Sequence, residues 1–76
     1  MKLEESFLYS EVIGGVKYFV LMYDMDGFYV LKAHRVLIYD IETLPGFHVL
    51  DKLIADTARL KREAAKSFLE ATLAAR

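Results

Sequence analysis

Seventy-six residues with no cysteine, a formal net charge of -1 and 55% hydrophobic side chains are expected to form one small domain. The missing thiols exclude disulfides and thiolate metal sites. The near-neutral charge argues against a dedicated nucleic-acid binder, and the longest apolar runs, 18–23 and 36–39, are strand-sized, far short of the ~18 residues of a membrane span.

A domain of this size buries only about 60% of the surface that its unfolded chain exposes. The apolar content exceeds the usual 45–50%, so some apolar surface is expected to meet a partner. The first residues, MKLEESF, turn acidic after Lys2 and lack the apolar stretch of a signal peptide. The expectation is a soluble, untargeted protein of a reducing, cytoplasmic compartment, without a membrane partner.

Two glycine turns organise the first half. Gly14-Gly15 and Asp26-Gly27 each sit between runs rich in Val, Ile, Tyr and Phe, the signature of two-residue hairpins. Strand one is expected over 5–13, strand two over 16–24 and strand three over 28–33. Beyond that point Lys32, Ala33, His34 and Arg35 hold either a bulge within one long strand or a turn into a fourth strand over 36–41. Pro45-Gly46 ends the sheet region.

From 49 to 75 there is no Gly or Pro, and helix formers dominate. One long amphipathic helix is expected within 48–75, with Asp51 in its first turn and Arg76 at its end to match the macrodipole. Its apolar side carries Leu50, Leu53, Ile54, Thr57, Leu60, Ala64, Ala65, Phe68, Ala71 and Thr72. Asp56, Arg59, Arg62, Glu63, Lys66 and Glu70 lie opposite, with Arg59–Glu63 and Lys66–Glu70 spaced for i,i+4 pairing. Such a helix would span roughly 40 Å and overhang the sheet. Lys61 falls within the apolar stripe, where it must snorkel, pair with Glu11 or touch a partner. The fold class is therefore α+β, a three- or four-stranded antiparallel meander over 5–41 followed by one C-terminal helix, in a single domain 1–76.

Hairpin register sorts the strands into two faces. Phe7, Tyr9, Ile13, Val16, Tyr18, Val20, Met22, Tyr29, Leu31, Ala33, Leu37 and Tyr39 share the face expected to seat the helix, interrupted by Glu11 and Arg35. The other face carries Leu8, Phe19, Leu21, Tyr23, Phe28 and Val30, with Val12, Val36 and Ile38, beside Ser6, Ser10, Lys17, Lys32 and His34. A solvated face should alternate to polar residues. An apolar centre with a polar rim is instead the anatomy of an interface, unless a break in the helix lets part of it cover this face too.

Leu8, Lys17, Phe19, Leu21, Tyr23, Phe28, Val30, Lys32 and His34 are therefore the expected partner-binding residues. The expected partners are another protein and a second copy of this chain.

Other chemistry finds little support. Asp24-Met25-Asp26-Gly27 resembles the start of a calcium loop, but the later acidic positions are missing, and a hairpin turn accounts for it. His34 and His48 could join Asp40 or Glu42 at a metal or act as acid and base. They lack metal-site spacing and read as surface or rim residues. Ser6, Ser10 and Ser67 sit in no nucleophile elbow, and the four glycines form no phosphate loop.

No catalytic residue, cofactor or metal is expected. The reading is a non-catalytic stoichiometric binder, regulator or inhibitor, the role of antitoxins and of phage-encoded inhibitors of host defence. The alternative is a single-stranded nucleic-acid binder, with bases stacked on Phe19, Tyr23 and Phe28 beside Lys17, Lys32 and His34. Arg59, Lys61, Arg62 and Lys66 would add a basic stretch, although acidic residues interleave with them.

Overall fold

Both residues of the first turn take positive φ, +58° at Gly14 and +79° at Gly15. Glycine adopts such a pair without steric cost, and the resulting turn matches the twist of its flanking strands. It joins β1 (Glu4–Ile13) to β2 (Val16–Met25), and Asp26-Gly27 joins β2 to β3 (Phe28–Leu37). The computed structural model describes residues 4–75, with side chains from residue 5. The N-terminal residues 1–3, read above for targeting, and Arg76, read as a helix-end charge, lie outside the described residues.

The meander continues into β4 (Asp40–Thr43), which pairs antiparallel with the C-terminal half of β3. β5 (His48–Asp51) pairs antiparallel with the N-terminal half of the same strand. β4 and β5 thus share one column of the sheet, on the edge opposite β1, and the Pro45-Gly46 turn separates them. Helix α1 (Ala58–Ala74) closes the chain, giving an α+β fold with an antiparallel sheet and one C-terminal helix.

Three boundaries differ from expectation. β3 runs unbroken to Leu37, with neither bulge nor turn at 32–35, because β2 offers it ladder partners along its whole length, from Met25↔Phe28 to Lys17↔Val36. The next strand begins at Asp40 rather than at 36. The helix starts at Ala58, ten residues later than the expected 48.

Of residues 48–51 only Leu50 is a strong helix former, and the free edge of β3 at 28–31 offers them ladder hydrogen bonds, so they pair as a strand. Asp51 then ends the strand. Its carboxylate accepts from the Leu53 N–H at 2.8 Å, and its carbonyl accepts from Ile54 and Ala55 at 3.1 Å each. This side-chain-to-backbone bonding competes with a helix. The helix begins where Thr57, in extended conformation, accepts from the Leu60 N–H at 3.3 Å, an N-cap. At 17 residues α1 is about 26 Å long, well short of the roughly 40 Å expected of a helix over 48–75.

The helix crosses β1, β2 and β3 on one face of the sheet. The core between them is Val20, Met22, Tyr29, Leu31 and Ala33 from the strands, Ala65 and Leu69 from the helix, and Leu44. Leu44, absent from the expected core, is drawn in by its N–H, which donates to the Ala33 carbonyl at 2.8 Å. The buried stripe of α1 is rotated toward Ala65 and Leu69, because Leu53 and Ile54, which weighted the expected stripe, lie in the preceding turn and are exposed. Leu37 and Tyr39, expected on the helix face, are exposed at the β3–β4 turn, beyond the helix's reach.

Lys61 resolves as a cation–π contact. Its ammonium lies 4.5 Å from the centroid of the Tyr29 ring, a placement that keeps the charge near water while the stem covers apolar surface. Glu11 is not its partner and instead accepts from the Tyr9 hydroxyl at 2.8 Å. That bond holds the Tyr9 phenol above its usual pKa. Lys52 pairs with Asp24 and Arg35 with Glu42. Arg59 and Glu63 approach to 4.0 Å, whereas Lys66 and Glu70 form no ion pair among the described residues.

Candidate functional site: the open face of the sheet

A bulge in β1 decides which side chains reach the open face. Phe7 pairs with Leu21 and Tyr9 with Val20, so Leu8 is the extra residue. An extra residue reverses the alternation on one side of it. Tyr9, Glu11 and Ile13 keep the helix side. Phe7, expected there, turns to the open face, and Ser6, expected on the open face, turns to the helix side. Leu8 itself is partly buried and packs against the core.

The remaining expected residues do share one surface. Lys17, Phe19, Leu21 and Tyr23 project from β2, and Phe28, Val30, Lys32 and His34 from β3, in register across the pair. β1 adds Glu5, Phe7, Ser10 and Val12. β4 adds Ile41 and Thr43, opposite Val36 and His34, and β5 adds Val49 and Asp51, opposite Val30 and Phe28. Helix α1 packs on the opposite face with Val20, Met22, Leu31 and Ala33, so a broken helix does not shield this one.

Sequence reasoning missed Phe7, Ile41, Thr43 and Val49. A strict period of two cannot register a bulge, and β5 was hidden inside a helix-forming composition. The one available signal was the β-branched Val49 next to the Pro45-Gly46 turn.

The centre of the face is an aromatic stack. The Phe7 and Phe19 rings lie 6.4 Å apart at 25°, and the Phe19 and His34 rings 5.1 Å apart at 15°. Phe7 is 62% exposed, whereas His34 is only 7% exposed. His34 is therefore not the expected surface or rim residue. The Phe19 ring lies against one side of it, and its Nδ1 is 3.1 Å from the Thr43 hydroxyl. The Nε2 of His34 is buried without a hydrogen-bond partner among the described residues.

Burial lowers the His34 pKa below its ordinary value. Lys32 acts in the same direction and Glu5 opposes it. Burial also raises the Tyr23 phenol, with help from the neighbouring Glu5 carboxylate.

The sheet's edges are less inviting than its face. β1 is long, but its bulge interrupts the ladder that an added strand would need, and Glu5 and Glu11 flank it. β4 and β5 are four residues each. Bulges, charges and short edge strands all discourage strand addition.

On the helix side, Pro45, Gly46, Phe47, Phe68, Ala71, Thr72 and Ala75 line a groove of about 350 Å³. It contains no charged residue, and Thr72 turns its hydroxyl to the Phe68 carbonyl at 2.8 Å.

Asp24 is engaged by Lys52, and Asp26-Gly27 forms a tight turn. His48 stacks on Phe68, 6.0 Å between centroids, on the opposite side of the sheet from His34. Among the described residues no three His, Asp or Glu side chains could hold a metal ion together, and no helix is long and apolar enough to cross a membrane. No family model, curated protein or solved structure matches the chain.

Proposed function

We propose that this protein is a non-catalytic interaction module that binds another protein through the open face of its sheet, as a stoichiometric regulator or inhibitor. The observation that carries the reading is the largely exposed Phe7, stacked on Phe19 and set among the exposed Val12, Ile41 and Val49 on one face of the sheet. Side chains of this kind release the most free energy when a partner removes them from water. The guarded edges favour docking on the face over strand addition.

The test is affinity capture from the native host, with the unaltered chain and Phe19→Glu as baits. A protein retained at one-to-one stoichiometry and lost with Phe19→Glu supports the reading. Retention of single-stranded oligonucleotide, with an affinity that falls steeply as salt rises, would replace it with base stacking on the same rings beside Lys17 and Lys32.

A further inference from the structure

We infer that a second copy of this chain covers the open face, so that two sheets pack face to face about a two-fold axis lying across the strands. The inference rests on the reading of this face as a protein-binding surface and names its occupant.

The first argument is size. The face is four strands wide and one ten-residue strand long, roughly 600 Å² before side chains corrugate it. A standard interface takes about 800 Å² from each partner. Two such faces therefore match, at the ~10 Å separation usual for stacked sheets.

The second argument is charge. The open face carries carboxylates at one end and a lysine at the other, with a second lysine, Lys32, between them opposite Leu21. Glu5 and Asp51 lie at the end of the β2–β3 turn, opposite Tyr23 and Phe28. Lys17 lies at the other end, opposite Val12 and Val36. All three are exposed.

A two-fold axis along the strands would set like ends together. An axis across the strands reverses one sheet, which brings Lys17 of each copy over Tyr23 of the other and one strand from Glu5. Only this arrangement pairs opposite charges at both ends, and it leaves the Phe7–Phe19–His34 stacks to meet near the middle. The contact is isologous and closes at two copies.

The experiment is sedimentation velocity over a range of micromolar concentrations, with circular dichroism to confirm folding. The unaltered chain should sediment as a dimer. Phe19→Glu should weaken association by at least about thirtyfold. Lys17→Glu and Glu5→Lys, both at exposed positions, should each weaken it severalfold, and the doubly substituted chain should recover most of the loss.

A monomer at every concentration overturns the second copy as occupant and leaves the face to be judged by the capture experiment. A dimer indifferent to Phe19→Glu but dissolved by Phe68→Glu places association in the helix-side groove and overturns the reading of the face as well. A dimer sensitive to Phe19→Glu but without charge-swap rescue overturns the proposed axis.

Discussion

The imidazole of His34 lies under the ring of Phe19, the two planes 15° from parallel, with Nδ1 held by Thr43 and Nε2 facing no partner. A neutral ring tolerates this position, whereas an imidazolium would need a second acceptor that the described residues do not supply. Burial accordingly lowers the His34 pKa in the folded state below its ordinary 6.5.

The unfolded chain therefore binds the proton more readily, and stability is lost as pH falls through the unfolded pKa. Urea unfolding at low protein concentration should show a decline between about pH 7 and pH 5 that is shallower in His34→Phe, a substitution that keeps the stack. Equal slopes for the two proteins would mean that His34 protonates in place without penalty.

Leu8 and Phe7 are neighbours with opposite duties. Leu8 packs on the core, so Leu8→Ala should cost about 2 kcal/mol of stability. Phe7 is mostly exposed, so Phe7→Ala should change the stability of the monomer by less than about 1 kcal/mol while weakening association. The reverse order of stability losses would mean that β1 has no bulge and that its faces follow simple alternation.

The β3–β4 turn is the least expected in its chemistry. Ile38 takes φ +46° and is 87% exposed, and Tyr39 beside it is 97% exposed. A β-branched residue with positive φ is strained, at a cost of about 1–3 kcal/mol. With so little contact to lose, Ile38→Asn should raise stability by about 1 kcal/mol in chemical denaturation, because Asn tolerates this conformation. A loss of stability would show that the exposed Ile38 side chain stabilises the turn by more than its backbone strain costs.

Lys61→Met keeps the apolar stem over Tyr29 and removes the ammonium. Its expected cost is no more than about 1 kcal/mol, the scale of a partly exposed cation–π contact. A loss above about 3 kcal/mol would require a buried ion pair that Lys61 does not make here.

The two glycine turns, the three long strands they join, the α+β class and the helical character of the last seventeen or so residues were all legible before any coordinates, because each depends on residues close together in the chain. Gly14-Gly15 favours a hairpin through its own two residues, and the run rich in Ala, Leu, Lys, Arg and Glu without Gly or Pro favours a helix through its own composition. The open face was legible too, through the alternation in β2 and β3, down to Phe19, Lys32 and His34.

What the tertiary structure decided depended on partners distant in sequence. Residues 48–51 became a strand because β3 had a free edge to pair, and no local propensity reports a free edge. Leu8 left the open face and Phe7 joined it because the β1–β2 ladder bulges at Leu8. His34 lost its solvent because Phe19 and Thr43, on two neighbouring strands, closed around it. Local sequence determines which conformations a segment can adopt cheaply, and the competition for hydrogen-bond partners and buried area across the whole sheet determines which of them it keeps.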